Sequence, residues 1–257
     1  MDNILSVITL TFNNYNELVD TINSISRCEN IESVIVNGGR CVKTAKFLQE
    51  NPKYISITEP DRGIGDAFNK GVEMASGQFI TFLNSGDALI DEEYYRFAIN
   101  YFIERPSIDY VYADILFDHA MIGEHRVKPN KEIGKTPFPH PSLIVRSQVF
   151  VEIGGFDNDL KSAMDFDFMC KMIKNKFNGY YYQNSPVVLM DGQGVSSSNG
   201  LQGLNERELV LKRYNMLDRH SYYYFKRLRL SLFAREVLKK LNILDLYDKI
   251  KYKARNK

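Results

Sequence analysis

Residues 79–87, FITFLNSGD, join an apolar strand to a polar turn and decide the fold of this chain. Residues 79–83 are apolar and rich in β-forming side chains, which predicts a strand. The strand stops at residues 84–87, a run of turn formers that ends in an acid. Open α/β sheets bind ligands at the carboxyl ends of such strands. The stretch therefore predicts an α/β sheet and points to a metal and a phosphate at its edge.

The sequence before this strand repeats an order of strand and then helix. Apolar runs at residues 4–12, 31–36 and 54–58 each precede a helical pattern, and the helical pattern of residues 64–75 leads into the strand at 78–83. Such alternation predicts βαβ units and a parallel sheet. Each polar turn could be no more than a turn, but four on one edge favour a pocket. The four turns are Thr11–Asn14, Asn37–Gly39, Asp61–Asp66 and Asn84–Asp87.

Composition predicts a globular chain with a distinct basic tail. The 257 residues are 44% apolar and 12% aromatic, which is enough for a sizeable core in one large or two small domains. The net charge of +1 hides an asymmetry. Residues 219–257 hold 12 Lys or Arg against 3 Asp or Glu, whereas residues 1–218 hold 21 against 29. The tail is therefore a different kind of surface from the rest.

Cysteine usage and hydropathy bear on the compartment. Cys28, Cys41 and Cys170 are too few and too scattered for a disulfide framework or a zinc site, which predicts a reducing compartment. The first residues lack the features of a signal peptide. No window approaches the roughly 20 apolar residues that a membrane span requires. We expect a cytoplasmic chain.

Four segments carry a family resemblance. In order, they are ILSVITLTFNN (4–14), VIVNGG (34–39), EPDRGIGDAFNKGVEMASGQFITFLNSGDAL (59–89) and GGFDNDLKSAMDFDFMCKM (154–172). The chain resembles family 2 inverting glycosyltransferases with the GT-A fold, especially bacterial enzymes of colanic-acid and related surface-polysaccharide synthesis. The resemblance implies a Rossmann-like, mostly parallel sheet flanked by helices. It also implies a catalytic domain at residues 1–200, with a nucleotide-sugar-binding half at 1–109 and an acceptor-binding half at 110–200.

The turn after the strand at 79–83 is the expected metal site. A nucleotide-sugar donor leaves as a diphosphate, whose charge Mn²⁺ or Mg²⁺ can neutralise through hard oxygen ligands. By resemblance, Asp87 is the metal ligand, and Ser85 and Gly86 bind the donor. The family usually carries two or three acids here, so this chain keeps one certain carboxylate, and we expect the donor diphosphate to complete the site. The alternative is that Asp87 caps a helix beginning near Asp91.

A second donor cluster contains Asp61, Arg62 and Asp66. By resemblance, Asp61 contacts the base, Arg62 contacts the base or the diphosphate, and Asp66 contacts the ribose or the donor sugar. The planar Arg fork suits phosphate, and a carboxylate accepts hydrogen bonds from sugar hydroxyls. The alternative is an exposed turn in which Asp66 is a first-turn helix acid.

The ends of the first two strands are the expected base-binding site. By resemblance, the nucleobase lies at Thr11 and Phe12, although Phe12 could equally be core. In the second turn the family usually has acids, whereas this chain has Asn37 and later Arg40. Asn37 can still hydrogen-bond a base. Arg40 adds a positive charge without an assigned role, and uridine is the expected base.

Asp165 is the residue expected to carry the chemistry. By resemblance it is the acid that deprotonates the acceptor hydroxyl, because inversion requires in-line attack with a base opposite the leaving group. Asp167 lies two residues further along the predicted helix and should point elsewhere. The alternative is that Asp165 is only an N-cap acid. His140, between two prolines, is expected on the acceptor side, although a lone histidine is more often structural.

The last quarter of the chain is predicted to be a loop followed by basic helices. Residues 191–200 form a Gly/Ser turn that either closes over the diphosphate or is a plain linker. Residues 201–257 are predicted to form a helical, basic, amphipathic segment, on a membrane surface or packed on the domain or on a second subunit of a homodimer. Nucleic acid is not expected, because no binding module is present. The apolar stripe consists of Leu230, Phe233, Val237, Leu241 and Leu244.

These features together predict a metal-dependent inverting glycosyltransferase. It would move a hexose or N-acetylhexosamine from a UDP-sugar to a saccharide linked to polyprenyl diphosphate in bacterial surface-polysaccharide synthesis, at the inner face of the membrane. One alternative is a catalytically silent binding partner, since several acids are altered. Another is a sugar-nucleotide pyrophosphorylase, which would carry a Gly-rich basic loop after its first strand, where this chain has TFNNYNEL (11–18).

Overall fold

The computed structural model describes residues 5–119, 123–130, 136–192 and 200–240. The helices are α1 (Tyr15–Ser24), α2 (Val42–Glu50), α3 (Ile64–Met74), α4 (Glu93–Glu104), α5 (Ser147–Ile153), α6 (Met164–Lys174), α7 (Gly200–Arg213) and α8 (Arg219–Lys240). The strands are β1 (Leu5–Thr11), β2 (Ile31–Asn37), β3 (Ile55–Thr58), β4 (Phe79–Phe82), β5 (Ala88–Leu89), β6 (Tyr110–Ala113), β7 (Ile115–His119), β8 (Gly123–Val127), β9 (Ile144–Arg146), β10 (Gly179–Tyr182) and β11 (Val188–Asp191).

A seven-stranded central sheet has the order β10-β6-β9-β4-β1-β2-β3. Its strands pair in parallel except β9, which is antiparallel to both β4 and β6. Strand β1 lies inside the sheet, and its residues Leu5, Val7 and Ile8 are fully buried. Its apolar, β-branched sequence suits a strand that is covered on both faces. The predicted mostly parallel α/β sheet flanked by helices is therefore confirmed.

A smaller sheet of order β5-β11-β7-β8 begins where β6 ends. Strand β7 forms a hairpin with β8, whereas β6, which ends one residue before β7 begins, stays in the central sheet. Asp114 lies between these two strands and is fully buried. Its carboxylate accepts hydrogen bonds from Tyr181 and Arg126, and its carbonyl accepts one from the Val187 N–H. These contacts join the two sheets.

Aromatic side chains form the core between the central sheet and α6. The ring centroids of Phe156 and Phe168 are 4.8 Å apart, as are those of Phe68 and Phe82. Phe150 stacks on Phe168 at 4.6 Å. Each fully buried phenylalanine stabilises the fold by about 1.5–3 kcal/mol. This cluster fixes the start of α6, and with it Asp165, against strand β4.

The two last helices pack on the same core. Helix α7 contributes Leu204 and Leu211, and α8 contributes Phe225. Within the predicted segment 201–257, the structure describes helices only as far as residue 240, and α8 packs through Phe225 and the partly buried Leu228 and Leu232 rather than through the predicted stripe. The stripe is a second apolar face: Leu230, Phe233 and Val237 are 63%, 66% and 40% exposed, and Leu241 and Leu244 lie outside the described residues. In the ranges that the structure describes, no helix is long and apolar enough to cross a membrane.

Candidate active site

Three loops meet at the carboxyl edge of the central sheet, as predicted. The N–H of Gly38 donates to the Thr11 carbonyl (3.1 Å), and the N–H of Arg40 donates to Asn13 Oδ1 (2.7 Å). The N–H of Ser85 donates to the Leu10 carbonyl (3.0 Å). The loops after β1, β2 and β4 are therefore hydrogen-bonded to one another. They form one continuous surface.

Phe12, Gly38 and Asp61 form a shallow platform on this edge. Phe12 is 70% exposed, so it is not a core residue. A β-carbon at Gly38 would lie 3.6 Å from the Phe12 ring and only 2.1 Å from Asp61 Oδ2. Glycine is therefore required at position 38 for the carboxylate to approach. An exposed ring beside a carboxylate is suited to a planar base that carries N–H donors.

Thr11 and Asn37 lie beneath the platform and shape it. Asn37 is fully buried: its Oδ1 accepts from the Gly39 N–H (3.1 Å), and its Nδ2 donates to Thr58 Oγ1 (3.3 Å). The Thr11 hydroxyl donates to Asn14 Oδ1 (2.7 Å). Both side chains are thus engaged within the protein. They position the turns that a donor would touch.

Asp61, Arg62 and Asp66 lie together at the start of α3. Asp66 is buried and accepts from Arg62 Nη2 (2.7 Å) and from the Arg62 N–H (3.1 Å). These bonds lower the pKa of the Asp66 carboxyl to about 2. Lys70 Nζ lies 2.8 Å from both Asp61 Oδ1 and Glu59 Oε1. Two cations, Arg62 and Lys70, therefore hold these acids in place, and Asp66 is also a first-turn acid of α3.

Thr21 of α1 holds the turn at residues 84–87. Its hydroxyl donates to the Asp87 carbonyl (2.7 Å) and accepts from the Gly86 N–H (3.0 Å). Gly86 has a φ of +106°, a conformation that favours glycine. Asp87 is 5% exposed, and its carboxylate accepts from the Asp191 N–H (3.1 Å). Asp87 is thus hydrogen-bonded to β11 and does not cap α4, because no side chain among the described residues makes an N-cap hydrogen bond to that helix.

Asp191 brings a second carboxylate to this turn. A β-carbon on Gly86 would lie 3.3 Å from Asp191 Oδ2. Burial, with the charge of Asp191, raises the pKa of Asp87 to about 7. Asn84 Oδ1 is buried and has no hydrogen-bond partner among the described residues. The described part of the chain contains no cluster of three His, Cys, Asp or Glu, but these oxygens fit a hard divalent cation whose remaining ligands come from a phosphate and water.

Asp165 lies in the first turn of α6 and is half-buried. Ala163 is the N-cap, so Asp165 is not the capping residue, although its Oδ1 accepts from the Phe166 N–H (2.7 Å). Asp167 points elsewhere, as predicted. It is fully buried and bonded to Lys171 (3.1 Å) and to the Tyr214 hydroxyl (2.9 Å). Of the two acids, only Asp165 lines a cavity.

The cavity beside Asp165 has a volume of about 450 Å³. His140 lies in its wall, 8% exposed and stacked on Phe82 with ring centroids 5.1 Å apart. Burial lowers the pKa of His140, so the imidazole is neutral, and its Nε2 has no hydrogen-bond partner in the described ranges. The other polar residues of the wall are Lys128, Thr136, Ser162 and Arg207, and the larger apolar ones are Ile115, Phe117, Val127, Phe166, Met190, Leu204, Leu228 and Leu232.

Strand β11 connects the cavity to the edge of the sheet. Met190 lines the cavity, while the next residue, Asp191, contacts Asp87. Thr11, Phe12, Asn37, Asp61, Arg62, Asp66 and Ser85–Asp87 do not line the cavity. The two sets of residues therefore belong to adjacent sites. The predicted closing loop spans residues 191–200, of which 193–199 lie outside the described residues; Asp191 is the last residue of β11, and Gly200 is the first of α7.

Residues 6–156 match the model of the family described as Glycosyl transferase family 2. The match covers more than half of the chain and includes the platform, the α3 cluster and the β4 turn. The chain belongs to this family. Asp165 lies nine residues beyond the end of the match, so its role rests on its position and not on the match.

Sequence relatives support this family, and solved structures support the fold. The chain is 26% identical over 180 residues to a PGL/p-HBAD biosynthesis glycosyltransferase of Mycobacterium bovis BCG, covering 66% of this chain and 70% of the relative. It resembles S. aureus TarS bound to UDP-GlcNAc (TM-score 0.66, 18% identity, 85% of this chain and 69% of TarS). It also resembles a Pyrobaculum calidifontis mannosyltransferase bound to GDP-Man and Mn²⁺ (TM-score 0.65, 14% identity, 99% and 80%). These structures show that the glycosyltransferase has the GT-A fold.

The structure adds four residues that sequence reasoning did not place in the glycosyltransferase site. Lys70 could have been found, because it lies four residues after Asp66 on the same helix face. Thr21 and Arg207 gave no such signal, and Asp191 was indicated only as the first residue of the predicted Gly/Ser turn. Each reaches the site from an element distant in sequence.

Proposed function

We propose that this enzyme transfers a hexose or N-acetylhexosamine, with inversion, from a UDP-sugar to a saccharide linked to polyprenyl diphosphate. The pathway would be the assembly of a bacterial surface polysaccharide such as O-antigen, capsule or exopolysaccharide. One observation carries this proposal: residues Met190 and Asp191 join the polar edge of the sheet to a half-open cavity that contains a carboxylate. A transferase needs two such adjacent sites.

The donor would bind across the platform and the α3 cluster. The base would stack on Phe12 and hydrogen-bond to Asp61, above the turn that Thr11 and Asn37 shape. Arg62 and Asp66 would contact the diphosphate and a sugar hydroxyl, respectively. The Arg62–Asp66 pair fixes both side chains before the donor arrives, which lowers the entropy cost of binding.

A divalent cation, Mn²⁺ or Mg²⁺, would be held by Asp87 and Asp191. It would neutralise the charge that develops on the leaving diphosphate. Ser85 and Gly86 present the backbone of the β4 turn to the same group. Asp191 offsets the acids that the turn lacks, because it supplies a carboxylate from another strand.

Asp165 would accept the proton of the acceptor hydroxyl, with His140 next to it in the cavity wall. A single displacement with inversion needs one base on the face opposite the leaving group. The Phe166 N–H at the start of α6 donates to Asp165 Oδ1 and holds the carboxyl group in place. The neutral imidazole of His140 can accept or donate one hydrogen bond through its unpaired Nε2.

Helix α8 would hold the enzyme at the inner face of the cell membrane. The exposed stripe of Leu230, Phe233 and Val237 lies on the face that does not pack on the core, and Lys226 is exposed beside it. A face of this kind inserts at the boundary of headgroups and acyl chains. Each nearby basic residue adds about 1 kcal/mol on anionic lipid. The same face could instead cover a second copy of the chain.

A donor screen tests the proposal. Thermal stability and nucleotide release are measured with UDP-, GDP- and dTDP-sugars, with and without Mn²⁺. We expect one UDP-sugar to raise the melting temperature and to be turned over only with the metal. Equal responses to all donors, or turnover in EDTA, would contradict it.

A silent binding partner is the second candidate. Gly86 stands where the family often has an acid, and Asn37 replaces another. This candidate predicts donor binding without nucleotide release under any condition. The same screen therefore separates the two functions.

A further inference from the structure

Arg207 of α7 is a partly buried cation, and its guanidinium is only partly hydrogen-bonded. Its Nη2 donates to Thr136 Oγ1 (3.2 Å), and its Cζ lies 4.6 Å from the centroid of the Phe166 ring. Its Nε is buried without a hydrogen-bond partner in the part of the chain that the structure describes. Burial lowers the pKa of the guanidinium, and the charge of Asp165 opposes this effect. Asp165 acts on this cation through its charge, but no ion pair joins the two among the described residues, and a partly buried cation without a paired acid is costly, so its presence needs a reason.

Two other arginines of the last two helices have counter-ions. Arg213 pairs with Asp157 (2.6 Å) and Asp167 (3.2 Å), and Arg229 pairs with Glu208. Among the described residues, no ion pair includes Arg207. Acids of the fold thus neutralise Arg213 and Arg229, whereas Arg207 lines the cavity.

The surroundings of Arg207 suit an anionic ligand with an apolar part. Lys128 lies exposed at the rim of the same cavity, which adds a second positive charge. The walls are largely apolar, with Phe117 and Val127 from the β7–β8 hairpin and Leu228 from α8. A guanidinium fork binds a phosphoryl group through two parallel hydrogen bonds. The cavity volume of about 450 Å³ is that of a small-ligand site.

We propose that Arg207, with Lys128, binds a phosphoryl group of the acceptor while Asp165 faces the acceptor hydroxyl. The inference rests on the proposed function, in which this cavity holds the acceptor. In-line displacement places the base and the leaving diphosphate on opposite faces of the sugar. Arg207 shares the cavity with the base, and the donor-side residues do not line it. The phosphoryl group is therefore the acceptor's and not the donor's.

Calorimetry with hexyl phosphate tests this proposal on the full chain, without any turnover. Wild-type protein is expected to bind it, whereas Arg207→Met weakens binding at least tenfold and Lys128→Gln weakens it about threefold. Arg227→Gln, which removes an exposed charge from α8, should bind like wild type. Arg207→Met should melt no lower than wild type, because it removes an unpaired buried charge. Hexanol measures the apolar contribution and should show no dependence on Arg207.

Two outcomes would overturn the proposal. One is wild-type affinity for hexyl phosphate in both Arg207→Met and Lys128→Gln. If Arg207→Met does not fold, Arg207→Lys keeps the charge without the fork and should bind at least threefold more weakly. The other is loss of hexyl phosphate binding when UDP and Mn²⁺ saturate the protein, since this would assign Arg207 to the donor diphosphate. Failure of the donor screen alone would leave these binding results unchanged.

Discussion

Charged side chains at the start of α3 pair with one another, whereas the cavity beside Asp165 contains buried polar atoms that have no partner among the described residues. Asp66 is bonded to Arg62, and Asp61 to Lys70. In the cavity, His140 Nε2 and Arg207 Nε are unpaired. The α3 cluster thus resembles a finished surface, whereas Asn84 Oδ1 in the neighbouring β4 turn is buried and has no partner among the described residues. The cavity resembles a site whose hydrogen bonds are completed by a ligand.

This difference has consequences for binding and specificity. A surface whose charges are already oriented binds with little reorganisation, and loss of one contact costs a moderate amount of affinity. A cavity with unpaired buried groups rejects ligands that leave them unpaired, so discrimination there is steep. We therefore expect donor-side variants to change affinity and cavity variants to change turnover and acceptor choice.

The largest expected effect comes from Asp165→Asn. Removal of a general base lowers the rate by about 10²–10⁴-fold, so nucleotide release with the selected donor should fall by about 10³-fold while donor affinity stays the same. Asp159→Asn, an exposed loop acid in the same segment, is the matched control. Near wild-type release by Asp165→Asn would remove Asp165 from the mechanism.

Asp191→Asn tests the carboxylate that reaches the β4 turn from β11. With Mn²⁺ present, we expect donor affinity to fall at least tenfold, because a divalent cation loses one of its few protein carboxylates. Without metal, the variant and wild type should bind the donor equally weakly. Calorimetry with Mn²⁺ and UDP measures both states, and Asp20→Asn on α1 is the control. A wild-type Mn²⁺ dependence in the variant would exclude Asp191 as a ligand.

Phe12→Ala should weaken UDP binding about tenfold. An aromatic stack contributes roughly 0.5–1.5 kcal/mol beyond its buried area, and 1.4 kcal/mol corresponds to tenfold. Phe12→Tyr should retain the affinity. Val42→Ala controls for the loss of another exposed apolar side chain near the platform. Equal affinities of Phe12→Ala and wild type would mean that the base binds elsewhere.

The smallest expected effect concerns stability and pH. The pKa of Asp66 lies at about 2 in the folded protein, below its ordinary value of 3.8. The contribution of the ionised Asp66 carboxylate to the free energy of unfolding is therefore fully present above about pH 4 and is lost as the pH falls through about 2. Asp66→Asn should melt a few degrees lower than wild type at pH 7, and thermal melts at lower pH should show the difference shrinking. A difference independent of pH would mean that the Arg62–Asp66 pair does not stabilise the fold.

Sequence patterns anticipated the sheet and its binding edge better than the acceptor cavity. The donor turns follow local rules: strands end in Gly, Asn and Asp, and parallel strands bring their ends together. The sequence also predicted correctly that Asp165 and Asp167 point in different directions, because residues at positions i and i+2 lie on different faces of a helix. Arg207 and Asp191 come from elements far along the chain, and local periodicity contains no information on such packing.

The exposed face of α8 shows the same limit. Spacing alone predicted the stripe of Leu230, Phe233 and Val237, but it could not tell which of two apolar faces would pack on the domain. Phe225 and Leu232 form the packed face because α7 and α6 offer an apolar surface there. The spacing of apolar residues shows which of them share one face of a helix. It does not show which part of the protein packs against that face.

Time-resolved ¹H NMR of the sugar first released from an α-linked UDP-sugar tests the central claim most directly. The claim is a single displacement between the donor edge and the cavity that contains Asp165. The account predicts that the β-anomer is released first, before mutarotation, and that Asp165→Asn releases almost none. Initial release of the α-anomer would contradict a single displacement, and with it the roles given to the two sites.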